Sequence, residues 1–318
     1  MAYKIYVEPS DGIKPLLRII KKAKHFVYIN SYLLDDPRIL EAVGNAVNRK
    51  LDVRLMVDGR PYGINGDDGT HAEIEDLRKT GARVKIAPAR FEKPNVFDHA
   101  KYMVTDGYSE VGTPNFTEAG FSKNREYMMI TKSRKIRSAL KKIFLSDFKE
   151  KIAGDTPRKY LVVSPGSEET LKDFISKEKR IIIETEEMGD DMETLKALMD
   201  KGRKARIIVP DTVSPSDASN LEKLKKHGVK VKYMPADKLY MHAKMIAGSR
   251  AFIGSENFTK SSLNKNRETG IIINSIFAVS KLKNTFSSDW HRASRSIGNA
   301  KLHTARNVRR KNTKNSVK

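Results

Sequence analysis

Apolar residues in this chain fall in short runs, separated by stretches in which they recur with helical spacing. Residues 25–31 (HFVYINS) and 180–185 (RIIIET) read as strands. An amphipathic helix follows each. Ile39, Leu40, Val43 and Val47 line one face of the first, and Met192, Leu195, Leu198 and Met199 one face of the second. Strands are expected next at 53–57 and 206–209. Helix–Gly–strand units follow: 72–80, Gly81 and 84–87, then 219–226, Gly228 and 229–234. Strands alternating with helices predict an α/β fold of mixed sheets with many parallel strands and helices on both faces.

The order of elements repeats, and so do particular residues. Asp98-His99-Ala100-Lys101-Tyr102-Met103 corresponds to Met241-His242-Ala243-Lys244-Met245-Ile246, His99 and His242 standing 143 residues apart. Gly112-Thr113-Pro114-Asn115-Phe116-Thr117 corresponds to Gly254-Ser255-Glu256-Asn257-Phe258-Thr259 at an offset of 142. Lys123-Asn124-Arg125-Glu126 matches Lys265-Asn266-Arg267-Glu268, and Ser146-Asp147-Phe148 matches Ser288-Asp289-Trp290, both at 142. A repeat of this length predicts two similar α/β/α halves related by a pseudo-twofold axis, 1–153 and 158–300, joined at 153–157 (AGDTP). Residues 58–70 (DGRPYGINGDDGT) and 210–219 (PDTVSPSDAS) break the repeat and read as loops, either specificity elements or plain connections.

Composition narrows the class. With 39% hydrophobic residues the chain can bury a sizeable core, and a mean hydropathy of −0.54 suits a soluble protein. No apolar run approaches the roughly 18 residues of a membrane-spanning helix, and no secretory-type leader is evident, so a cytoplasmic protein or a mature secreted form is expected. The absence of cysteine excludes disulfides, thiolate metal sites and cysteine nucleophiles. Sixty-one Lys and Arg against 39 Asp and Glu give +22. Residues 301–318 hold seven of these bases and no acid, and read as a disordered basic tail; removing them leaves +15 on the rest. Such a surface favours polyanions, nucleic acid before anionic membrane, although solubility alone is the plainer explanation.

The repeated polar residues suggest chemistry. His99 and Lys101, like His242 and Lys244, are two apart and would share a face on a strand. Asn115 and Asn257 each follow a Gly-Thr/Ser turn, and Glu126 and Glu268 each follow an Asn-Arg pair. Brought together, these eight suit phosphodiester transfer. One His attacks phosphorus, and the other protonates the leaving oxygen. Lys and Asn hold the non-bridging oxygens, and each Glu fixes a His tautomer. The spacing offers no metal-ligand pattern, and the Lys pair supplies the charge a metal would. The plainer alternative is a repeat kept for packing after an ancient duplication, its chemistry lost. His25, His71, His227, His291 and His303 read as surface or capping residues.

His99-x-Lys101-x4-Asp106 with Gly112-Thr113-x-Asn115, and His242-x-Lys244 with Gly254-Ser255-x-Asn257, resemble the phospholipase D superfamily. The resemblance implies an active site between two α/β halves, a phosphohistidine intermediate and no cofactor or metal. It implies that each Glu orients the His of the opposite half, His99 with Glu268 and His242 with Glu126. It further implies that His99 is the nucleophile and His242 the general acid and base. Ser249 stands where the first motif has Asp106. Thr113, Ser255, Asp106 and Ser249 are expected to touch substrate phosphate or support the motifs locally.

That family includes nucleases, phospholipases and phosphatidyl-transferring synthases. The charge, the compact length and the aromatics near the motifs (Tyr62, Phe91, Phe97, Tyr102, Tyr240) favour a nuclease acting on single-stranded or duplex DNA or on RNA. Tyr102 fits core packing better than stacking. The alternatives are a phospholipase D or phosphatidyltransferase on anionic phospholipid, and an inactive nucleic-acid-binding protein. Two motifs in one chain make a monomer sufficient for a complete site.

Overall fold

A computed structural model describes residues 3–61 and 66–296, with 66–70 as backbone only. The expected tail and Tyr62 lie outside the described residues. The chain runs through β1 (Tyr3–Glu8), α1 (Lys14–Lys22), β2 (Phe26–Ser31), α2 (Pro37–Asn48), β3 (Asp52–Val57), α3 (Gly66–Lys79), β4 (Arg83–Ile86), β5 (Tyr102–Thr105), β6 (Ser109–Gly112), α4 (Glu118–Ser122), β7 (Asn124–Thr131) and α5 (Arg134–Phe148). A short 3-10 turn at Thr156–Lys159 leads into the second series. This is β8 (Val162–Ser164), α6 (Glu168–Lys177), β9 (Ile181–Thr185), α7 (Met192–Lys201), β10 (Ala205–Pro210), α8 (Pro215–Lys226), β11 (Lys230–Met234), β12 (Tyr240–Met241), β13 (Lys244–Ala247), β14 (Ala251–Gly254), α9 (Lys260–Asn264), β15 (Glu268–Ile273) and α10 (Ile276–Arg292).

The two sheets have the same order. One reads β1-β7-β6-β5-β2-β3-β4 and the other, reversed, β8-β15-β14-β13-β9-β10-β11. In each, three strands are parallel (β2, β3, β4; β9, β10, β11) and the others on this path antiparallel. Helices α1 to α4 bury Leu16 and Ile20, Ile39 and Val43, Leu77, and Phe121 in turn on the outer face of the first sheet. Helices α6 to α9 bury Leu171, Leu195 and Leu198, Leu224, and Leu263 in turn on the outer face of the second. The inner faces meet in one apolar core, joined by Leu140 and Phe144 of α5 and by Leu282 and Phe286 of α10. Burial of this size on both faces of each sheet dominates the favourable side of folding.

Two details differ from the sequence pattern. Met192 is 61% exposed, because it sits in the first turn of α7 and precedes the packed face of Thr194, Leu195, Ala197 and Leu198. The stretches expected as loops are partly helical. α8 begins at Pro215, where the Ser214 hydroxyl accepts from the Asp217 amide at 3.1 Å, and α3 begins at Gly66.

Backbone bonds stitch the two halves together. β12 pairs parallel with the start of β7, Tyr240 opposite Asn124 and Met241 opposite Arg125. The equivalent segment of the first half does the same in reverse. The Arg267 amide donates to Phe97 O, and the His99 amide to Arg267 O, both at 2.9 Å. Each His-x-Lys segment is thus laid beside the Arg-Glu segment of the other half.

Candidate active site

The crosswise stitching places the carboxylates. Arg125 and Arg267 each hold position by bonding across the interface, and the next residue, Glu126 or Glu268, projects toward the histidine of the opposite half. His99 Nδ1 is 3.0 Å from Glu268 Oε2, and His242 Nδ1 is 2.6 Å from Glu126 Oε1. Both carboxylates are fully buried, and hydroxyls and amides compensate for their lost water. Ser262 Oγ donates to Glu268 at 2.7 Å, and Asn266 Nδ2 at 3.3 Å. Thr113 Oγ1 donates to Glu126, and Asn124 Nδ2 does so at 3.2 Å. Ser255 also bonds Glu268. Thr113 and Ser255 are therefore committed to the carboxylates.

Lys101 and Lys244 are fully buried, each ammonium donating to the carbonyl of its own histidine at 2.7 Å. Residues 99–101 lie just ahead of β5 and outside any strand, the His99 amide bonding the other half. Burial pulls the His99 imidazole down to about 4, overriding Glu268, which pulls it up; Lys101 adds to the fall. The ring is thus neutral at pH 7. A proton on Nδ1 faces Glu268, leaving Nε2 with a lone pair. Burial likewise draws Lys101 down to about 7, against Glu268 and aided by Lys244. Burial would raise Glu268, but His99 and Lys101 hold it below the usual carboxylate range.

Asn115 and Asn257 follow the glycine turns, and among the described residues the Oδ1 of each is buried without a hydrogen-bond partner. The glycines are required by close approach. A Cβ at Gly112 would meet Tyr127 O at 2.8 Å, and one at Gly254 would meet the Gly270 Cα at 2.6 Å. Asp106 and Ser249 are not in the site. Asp106 Oδ1 accepts from the Lys24 and His25 amides ahead of β2, at 2.9 and 3.0 Å. Ser249 gives its amide and hydroxyl to Glu178 Oε2, both at 2.6 Å. The acid has changed sides of the same turn, so the missing motif Asp is replaced from the preceding segment.

Of the aromatics, Phe91 and Tyr102 are core residues. Phe97 packs edge-on against Tyr32, at 6.0 Å between centroids. The Tyr32 ring lies edge-on to His99 at 4.8 Å, with the Lys101 ammonium 5.2 Å from its centroid. Tyr240 donates to Glu186 at 3.0 Å. Glu186 escaped the sequence reading. Its carboxylate is 2.6 Å from the Lys244 ammonium and 3.3 Å from His242 Nε2. Its only sequence signal was an acidic pair closing the RIIIET strand.

Residues 16–148 and 171–290 match the family described as cardiolipin synthase, PLD-like domain. Cardiolipin synthases of Listeria welshimeri and Listeria innocua are 32% identical over 133 residues, 41% of this chain and 26% of theirs. That of Staphylococcus aureus strain N315 is 27% identical over the same length. The matched part spans about a quarter of those relatives. Among solved structures, phosphatidylserine synthase of Haemophilus influenzae superposes with a TM-score of 0.72 at 13% identity, over 98% of this chain and 94% of that one. Polyphosphate kinase of Porphyromonas gingivalis gives 0.71 at 13% identity, over 98% and 56%. At such identity these likenesses concern the fold.

Proposed function

The chain belongs to the phospholipase D superfamily, and from that premise we propose that it is a phosphodiesterase of phospholipid headgroups, passing a phosphatidyl group to an alcohol or to water. The observation that carries the chemistry is the pair of crosswise His–Glu contacts with a buried lysine beside each histidine. His99 Nε2 attacks phosphorus and the bond to the headgroup oxygen breaks, that oxygen taking a proton from His242. An alcohol or water then gives its proton to His242 and attacks, breaking the P–N bond. Lys101, Lys244 and the two Asn amides steady the charge on the non-bridging oxygens. Similarity to cardiolipin synthases supports the lipid substrate, and the charge of +22 suits an anionic surface.

Among the described residues no helix is long and apolar enough to cross a membrane. The second reading is a nuclease. It is favoured by a cavity of about 460 Å³ that Arg180, Arg203, Lys204, Arg206, Lys230 and Lys283 line without an acid. The test is incubation with phosphatidylglycerol vesicles, or with a labelled single-stranded oligonucleotide, in excess EDTA. Lipid products would be read by mass spectrometry beside His99→Ala. New phospholipid from wild type alone is expected. Cleaved oligonucleotide with untouched vesicles would reverse the assignment.

A further inference from the structure

The strand pairings fix which residues are equivalent in the two halves. Tyr102 lies opposite Asn30, and the equivalent Met245 lies opposite Glu184. Two residues beyond these partners stand Tyr32 and Glu186. The neighbouring turn agrees: Ser31 Oγ donates to Leu33 O at 2.6 Å, and Thr185 Oγ1 to Glu187 O at 2.9 Å. Both positions cover the His–Lys pair of their own half, one with a ring and the other with a carboxylate.

A second position changes with the first. Phe97 and Tyr240 each stand two residues before their histidine. Phe97 meets Tyr32 through its ring, and Tyr240 meets Glu186 through the hydroxyl that Phe97 lacks. A ring-to-ring pair on one side has become a hydrogen-bonded pair on the other. Glu186 thereby has three polar neighbours: the Tyr240 hydroxyl, the Lys244 ammonium and His242 Nε2. The last two are the groups to which a phosphodiester would turn. Burial alone would raise the Glu186 pKa, but His242 and Lys244 hold it far below the usual carboxylate range, so the carboxylate is charged.

We propose that Glu186 is a specificity-determining residue, an internal anion that occupies the phosphate position at His242 and Lys244. Substrate phosphate must displace it, and its charge biases the site toward monoanionic phosphodiesters over dianionic phosphates. The inference rests on the reading of this site as a phosphodiester site. A dianion beside a fixed carboxylate meets twice the repulsion of a monoanion at the same place. The same bias speeds departure of a phosphomonoester product. The first half, with Tyr32 against His99 and Lys101, offers no such competitor at the equivalent position.

The test is calorimetric binding of inorganic phosphate and of dimethyl phosphate at pH 8 to wild type, Glu186→Gln and Tyr240→Phe, with folding checked by circular dichroism. Glu186→Gln is expected to bind inorganic phosphate at least about tenfold more tightly, with a smaller gain for dimethyl phosphate. Tyr240→Phe, which loosens Glu186, is expected to shift the same way by a few-fold. Equal gains for the two ligands, or no gain in either folded variant, would overturn the inference while leaving the site reading intact. No binding of either ligand to any of the three proteins would overturn both.

Discussion

Arg125 binds Asp289 across the interface, Nε to Oδ2 at 2.6 Å and Nη2 to Oδ1 at 3.0 Å. Arg267 answers with Asp147, Nη2 to Oδ1 at 3.0 Å. Both acids are fully buried and both guanidiniums nearly so, so removing one partner leaves an unpaired charge in the core. Asp289→Asn is therefore expected to cost on the order of 3–5 kcal/mol in urea unfolding. Replacing both with apolar residues of similar size, Arg125→Met with Asp289→Leu, is expected to cost much less. Because Glu126 follows Arg125 in the chain, the single variant is also expected to lower activity at temperatures where it remains folded.

The two histidines can be told apart by the leaving group. With a p-nitrophenyl phosphodiester, whose leaving oxygen needs little protonation, His242→Ala is expected to keep the burst of nitrophenol but turn over slowly. His99→Ala is expected to give no burst. His242→Ala denatured at alkaline pH, where a P–N bond survives, should carry phosphohistidine at His99, readable by mass spectrometry. A burst in His99→Ala and none in His242→Ala would exchange the roles.

Two buried groups set the pH profile. His99 must be neutral, and its lowered pKa of about 4 puts the acid limb of kcat/KM there, activity rising as pH climbs through it. Lys101 must be charged, and its lowered pKa of about 7 puts an alkaline limb there, activity falling as pH climbs. Bound phosphate favours the ammonium, so the alkaline limb of kcat should lie above that of kcat/KM. Lys101→Met should remove the limb near 7 and cost a factor on the order of 10²–10³ in kcat.

Restoring the motif acid should harm the protein. In Ser249→Asp a second carboxylate would face Glu178, which already accepts from the Ser249 amide and hydroxyl. The variant is expected to lose about 1–2 kcal/mol of stability in urea, with activity little changed. Ser249→Asp with Glu178→Gln, which removes the second carboxylate and leaves Arg250 to face the new acid, should recover most of it.

Much of this was legible in the sequence because the repeat carries its own alignment. The His-x-Lys segments, the Asn-Arg-Glu segments and the Ser-Asp pair recur in the same order, and the last two turn out to bond crosswise. Resemblance supplied the His–Glu pairing, which no periodicity could give: the contact depends on two chain segments meeting in parallel over only two or three residues. Glu186 stayed hidden for the same reason, since its relation to Tyr32 exists only through strand register. Charge pointed first to nucleic acid because it measures attraction to any polyanion and cannot separate a phosphate backbone from a lipid surface. Met192 misled because a helical stripe says nothing about which of its turns the sheet covers.

Each histidine takes its carboxylate from the other copy of the duplicated sequence, so the two copies cannot drift apart as independent modules. A mutation at Glu268 is felt at His99, 169 positions upstream in the chain, and one at Glu126 at His242. Divergence has room only where a residue answers to its own copy. The side chains at 32 and 97, and at their counterparts 186 and 240, meet within their own copy even where the backbone at 97 and 240 bonds across, and there the copies have parted company. A duplicated symmetric ancestor would thus have acquired distinct left and right sides while its catalytic residues remained locked in mutual inheritance.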